Sequence, residues 1–147
     1  MTLTELLNFI KKHPLGVLAT VSVRGVPEAA LVGIAVTDQF ELIFDTIDTT
    51  RKCKNLRQYP NAAFVIGWDN EITVQYEGIA DEPAGNELDR LKKIYFEVYP
   101  DGLSRQSWSG ITYFRVGPKW IRYSNFKEPV TIIEFTKDEL NKFINNK

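Results

Sequence analysis

Only one cysteine, one histidine and one methionine occur among the 147 residues. A lone Cys53 excludes an internal disulfide and makes the cytoplasm the expected compartment. His13 stands beside Pro14 at the end of a helical stretch, where a single histidine is more often a surface or capping residue. With no second histidine, acid–base work would fall to carboxylates, tyrosine, lysine or a cofactor. No HExxH, Cys/His cluster or spaced carboxylate set is present, so no metal site is expected. No GxSxG elbow, Walker loop or GxGxxG occurs either, so a phosphate site, if there is one, is of another kind. Charge of one sign is not in excess: 18 basic against 19 acidic side chains give a formal net charge of −1. Such a balance offers no global field for nucleic acid or a membrane surface, and any anion site must be local. No apolar run approaches the roughly 18–20 residues of a membrane span. The opening "MTLTELLNFIKKHP" lacks the basic start and apolar core of a signal peptide.

What is there is ordinary globular material, 44% hydrophobic and 25% charged, which sets the expectation of one domain over 1–147. Thr2 and Glu5 have capping-box spacing, and Leu3, Leu6, Leu7 and Ile10 recur at helical intervals up to the Pro14 stop. Short β-rich runs follow. "LGVLATVSV" (15–23) and "EAALVGIAV" (28–36) flank the turn Arg24-Gly25-Val26-Pro27, and "ELIFDT" (41–46) comes next. "NAAFVIGW" (61–68) and "EITVQYEGIADEP" (71–83) lead to a second helical pattern at 85–99, with Leu88, Leu91, Tyr95 and Val98 on one face. "ITYFRVGP" (111–118), "KWIRYSNF" (119–126) and "VTIIEF" (130–135) complete the strands, and Thr136 with Glu139 opens a last helix. About seven strands with peripheral helices favour a mainly β (α+β) fold, an antiparallel barrel whose closure removes exposed edges.

The segment "FDTIDTTRKCKNLRQYP" (44–60) places Arg51 and Lys52 in the first turn of a short helix, where carboxylates normally belong. Thr49 or Thr50 can cap that helix. A cap, unpaired N–H groups, a guanidinium and an ammonium together make an anion pocket. The competing reading is a solvated cationic face with Lys54 and Arg57, partly neutralised by Asp45 and Asp48. Cys53 lies inside this basic helix, where nearby cations could lower its pKa. Nothing else suggests thiol chemistry, and it reads as structural. Further on, "YFRVGPKWIRYSNF" (113–126) interleaves aromatics with Arg115, Lys119 and Arg122. That composition suits stacking on a planar ligand and equally suits a strand pair with one packed and one solvated face.

"GVLATVSVRGVPEAALVGIAV", "LIFDTIDTTRKCKNLRQYPNAAFVI", "VQYEGIADEP" and "YFRVGPKWIRYSNF", in this order over about residues 4–126, resemble the pyridoxamine 5′-phosphate oxidase-like, FMN-binding split-barrel superfamily. Its most specific part is Thr-Thr-Arg-Lys, similar to the family's Ser-Arg-Lys phosphate motif. The resemblance implies a six- to seven-stranded antiparallel split barrel and a homodimer with FMN in the groove between subunits. It implies that Thr49, Thr50, Arg51 and Lys52 hold the FMN phosphate and that Asp45 and Thr46 form a cofactor-contact pair. Ala30, Leu31 and Val32, in a run continuing to Ala35, would lie beside the isoalloxazine, and Phe114 or Trp120 would reach the site from the neighbouring subunit. Arg122 is a candidate for attracting an anionic substrate.

Departures from the family pattern are as specific. Ala30 and Ala35 stand where pyridoxamine phosphate oxidases have an FMN-binding Arg and Lys. Thr73 stands at a glutamine position (with Gln75 nearby), and Trp120 and Arg122 replace a substrate-binding Arg and His. The expectation is an FMN-dependent oxidoreductase that transfers hydride to or from an unidentified small substrate and is not an effective pyridoxamine 5′-phosphate oxidase. A deazaflavin-dependent reductase and a non-catalytic flavin- or haem-binding or storage protein are the alternatives.

Overall fold

The computed structural model describes every residue from Met1 to Lys147. The elements run α1 (Leu3–Lys11), β1 (Leu15–Val21), β2 (Pro27–Gly33), β3 (Ala35–Val36), β4 (Leu42–Ile47), α2 (Arg51–Gln58), β5 (Asn61–Ile66), β6 (Ile72–Asp81), α3 (Gly85–Val98), α4 (Gly102–Arg105), β7 (Ile111–Asn125), β8 (Thr131–Thr136) and α5 (Lys137–Asn145). The capping boxes at Thr2/Glu5 and Thr136/Glu139 both form. No helix is long and apolar enough to cross a membrane.

The sheet is antiparallel with the order β2-β1-β5-β6-β7-β4-β3, and β8 pairs with β7 off that path. Its two end strands, β2 and β3, are separated in the chain by Ile34 alone. They are therefore halves of one interrupted strand, paired with β1 on one side and β4 on the other, and six strands close round a common interior. Leu18, Phe44, Phe64, Tyr76 and Phe114 fill that interior. Tyr76 is fully buried, and its hydroxyl lies 2.8 Å from the carbonyl oxygens of both Phe40 and Val116, donating its one proton to either. Leu6, Leu7 and Ile10 of α1 and Leu140 of α5 are buried in the same core and extend it from the strands to the covering helices. This is the split-barrel architecture that the family resemblance implied.

Two boundaries differ from the sequence reading. The run 28–36 is not one strand but β2 and β3, because Ile34 turns inward and donates its N–H to the Pro14 carbonyl at 2.9 Å. Segments 111–118 and 119–126 are instead one strand, β7, despite Pro118. Residues 111–116 pair with β4 and residues 120–125 with β8, so the proline sits at the handover between partners. On the β6 side, the register slips between Glu77 and Gly78. A missing N–H costs least at such a bulge. Gly78 is required there, since a Cβ would stand 2.3 Å from the Gly117 carbonyl oxygen.

Candidate functional site

β4 ends at Ile47, and a three-residue turn delivers the chain to α2. Thr50 is the N-cap, with extended backbone (φ −72°, ψ 154°), and its Oγ1 accepts from the Cys53 N–H at 3.3 Å. The same hydroxyl donates to the Ile47 carbonyl at 3.0 Å and lies 2.8 Å from the Thr46 hydroxyl, which is buried. Thr46 and Thr50 are therefore consumed in building the helix start. Thr49 beside them is exposed and makes no hydrogen bond within the chain through its hydroxyl. The backbone N–H groups of Arg51 and Lys52 are also unpaired, as the first-turn donors of a helix are. Lys52 forms no ion pair.

These groups rim an open pocket of about 350 Å³, floored by Leu18 and Thr20 of β1 and by Glu28, Ala29 and Ala30 of β2. Thr49, Thr50, Arg51, Lys52 and Ala30 thus line one pocket. Cys53 points the other way into the core, and burial pushes its thiol pKa up, which corrects the expectation that neighbouring cations would lower it.

The one carboxylate of the pocket escaped sequence reasoning. Glu28 pairs with Arg51 at 2.8 Å through Oε2 and accepts from Asn55 Nδ2 at 2.8 Å through Oε1. Asn55 also donates to the buried Thr20 hydroxyl at 2.9 Å. The partner of Arg51 is therefore Glu28 rather than Asp45 or Asp48. Its only signal in the sequence is a carboxylate opening a run of small residues, two positions before Ala30 and so on the same strand face.

Other proposed positions lie elsewhere. Val32 is buried in the barrel core, whereas Leu31 is 60% exposed on the outer face. Ala35 is packed with Ile43, Leu91 and Tyr95 under α3, so the run from Ala30 to Ala35 does not line one slot. The Asp45 carboxylate is not at the pocket: it accepts from Tyr95 Oη at 3.0 Å and from Arg105 Nε at 2.9 Å. Alternation along β4 sends Thr46 inward and Asp45 outward beneath α3 and α4. Phe114 is a core residue stacked on Phe44. Trp120 lies on the outer face with Val17, Ala19, Ala63, Val65 and Gln75 around it. Arg122 stacks over Trp120 at 5.5 Å and is paired with Glu134.

The register makes that outer face explicit. One row crosses the sheet as Ala29–Ala19–Ala63–Glu77–Trp120, and the next as Leu31–Val17–Val65–Gln75–Arg122. Ala29 belongs both to the first row and to the α2 pocket, so the two features adjoin. A separate depression of about 440 Å³ between α1, β3 and α3 offers no such set of donors. Its one cation, Lys11, is bound to Asp38 at 2.7 Å.

The pyridoxamine 5′-phosphate oxidase family profile matches residues 3–125. The pyridoxine/pyridoxamine 5′-phosphate oxidase of Thermosynechococcus vestitus is 33% identical over 93 residues, which is 63% of this chain and 42% of that enzyme. The chain thus matches about two-fifths of the length of such curated relatives. Among solved structures, a haem-binding protein from Mycobacterium smegmatis superposes with a TM-score of 0.83 at 18% identity, over 97% of this chain and 61% of that one. A pyridoxamine 5′-phosphate oxidase-related, FMN-binding protein from Nostoc punctiforme gives 0.69 at 13% identity, over 91% of this chain and 88% of that one. At these identities the two structures share the fold.

Proposed function

The chain belongs to the pyridoxamine 5′-phosphate oxidase family, and from that premise we propose that it is an FMN-binding flavoprotein, an oxidoreductase acting on a small substrate. The observation that carries this reading is the α2 N-terminus, with two unpaired N–H groups, the free Thr49 hydroxyl, Arg51 and Lys52 around one pocket. That donor set fits a phosphate: the helix dipole and backbone donors favour an anion, Arg51 can grip two oxygens, and Lys52 adds a point charge. Thr46 and Thr50 contribute by fixing the cap, and Ala29 and Ala30 leave room at the floor. Bound FMN supplies the hydride-accepting ring. The chain's own part is to anchor the phosphate and to cover the cofactor with the small and aliphatic residues of the outer rows, Ala19, Ala63, Val17 and Val65.

The same outer face supports a homodimer that shares the cofactor groove. Leu15, Val21, Leu31 and Val65 are between 38% and 60% exposed there, which is unusual for neighbouring aliphatic residues on one sheet face. In such a pair Trp120 belongs to the neighbouring subunit's half of the site. Oxidation of pyridoxamine 5′-phosphate is not the proposed reaction, because Trp120 and Arg122 stand where the family's enzymes have a substrate-binding Arg and His, and Arg122 is engaged by Glu134. Haem ranks second. The Mycobacterium smegmatis neighbour supports it, but the sole histidine, His13, is stacked on Phe9 at 4.1 Å, with Nδ1 2.7 Å from the Phe9 carbonyl, away from the α2 pocket. A deazaflavin remains the alternative on the same fold.

Titration of the purified chain with FMN, followed by quenching of flavin fluorescence and combined with sizing in solution, tests the proposal. Saturable binding by a dimer is expected. Absence of binding, with haem or a deazaflavin taken up instead, would replace FMN by that ligand.

A further inference from the structure

Glu28 is the one anionic group in the pocket that the FMN reading assigns to phosphate, and the inference drawn from it rests on that reading. Its two carboxylate oxygens have different partners. Oε1 is tied to Asn55, which is itself buried and anchored to Thr20, while Oε2 holds Arg51. The two ends of the ion pair also differ in freedom. Glu28 is only 17% exposed at its side chain and Arg51 is 74% exposed. The carboxylate is therefore the fixed member of the pair and the guanidinium the mobile one.

From this geometry we infer that Glu28 is an intramolecular competitor for the anion site. In the unliganded chain it occupies Arg51. When a phosphate enters, Arg51 swings from Glu28 to the phosphate oxygens while Glu28 stays on Asn55. Phosphate affinity is then set by an exchange of one anion for another at Arg51, plus repulsion between the fixed carboxylate and the incoming charge. Both effects lower affinity below what the helix terminus, Thr49, Arg51 and Lys52 would deliver alone. Glu28 thus tunes the site toward a cofactor that exchanges rather than one held permanently. Riboflavin, which has no phosphate, should not sense it.

The experiment is fluorescence titration of wild type and Glu28→Gln with FMN and, in parallel, with riboflavin. The glutamine keeps an oxygen to accept from Asn55 and removes the charge, so the local scaffold is retained. Glu28→Thr, a strand-compatible residue, serves as a second variant should the glutamine form fail to fold. The expected result is FMN binding about two- to fivefold tighter than wild type, the scale of one partly exposed ion pair, with riboflavin affinity unchanged. The gain should shrink when Arg51→Ala is added, because no guanidinium remains to be released. FMN binding by wild type that is unchanged or weakened by Glu28→Gln would overturn the inference and leave the flavin reading standing. So would an equal gain with and without Arg51, which would show bulk charge at work. If neither wild type nor variant binds FMN, the flavin reading itself fails and takes this inference with it.

Discussion

Replacing Thr50 by alanine tests how the anion pocket is built. Thr50 Oγ1 accepts from the Cys53 N–H, lies at hydrogen-bond distance from the Thr46 hydroxyl and donates to the Ile47 carbonyl. Loss of an N-cap side chain costs about 1 kcal/mol. Thr46 is 7% exposed, so its stranded hydroxyl adds about 1 kcal/mol more. The expected loss of about 2 kcal/mol corresponds to a fall in melting temperature of about 8 °C for a chain of this size. Thermal unfolding followed by circular dichroism on the flavin-free protein is the assay. Thr50→Ser, which keeps the hydroxyl, should recover most of the loss. The alanine variant should also bind FMN more weakly, because the first turn that presents the Arg51 and Lys52 N–H groups frays. A melting temperature within about 1–2 °C of wild type, a change of about 0.5 kcal/mol or less, would refute the claim that this hydroxyl network holds the helix start.

Other outcomes can be stated in brief. Gly78→Ala drives a methyl into the Gly117 carbonyl at the β6–β7 bulge, and unfolding in urea should show a loss of about 3 kcal/mol or more, or no folded protein at all. Asp45→Asn weakens the Arg105 and Tyr95 contacts and should lower stability by about 1–3 kcal/mol without changing FMN affinity in flavin titration. A selective loss of FMN binding would return Asp45 to the cofactor. Burial holds the Cys53 thiol protonated in the folded chain. The unfolded thiol ionises from about pH 8.5 upward, so stability should decline with rising pH above that point and be unaffected by this group below it. A Cys53→Ala chain compared over pH 7 to 10, about the span of that titration, should have a flatter profile. Identical profiles would contradict the burial argument.

Much of this was readable from local signals. The capping boxes, the stop at Pro14 and the turn into α2 depend on residues within a few positions of one another, and all of them form. Thr49, Thr50, Arg51 and Lys52 are contiguous, so the capped helix start with its two cations was legible, while the pocket floor that β1 and β2 supply was not. Whatever depends on strand register was not legible. Glu28 meets Arg51 only because β2 folds back on β1 under α2, a pairing across 23 positions that no periodicity encodes. The same holds for Asp45, whose direction is set by which face of β4 the helices α3 and α4 cover. Pro118 misled for a different reason: its missing N–H normally ends a strand, but here it falls where β7 changes partners and no hydrogen bond is owed.

The central claim is that Arg51 and Lys52 at the start of α2 anchor a flavin phosphate. Its most direct test is equilibrium titration of wild type and the Arg51→Ala/Lys52→Ala double variant with FMN and with riboflavin. Two charge-assisted hydrogen bonds at about 1.5–3 kcal/mol each, less the wild-type cost of releasing Arg51 from Glu28, predict FMN affinity reduced by about 100-fold. Riboflavin affinity should be nearly unchanged. FMN affinity equal in the two proteins, or a loss as large for riboflavin as for FMN, would contradict the phosphate anchor.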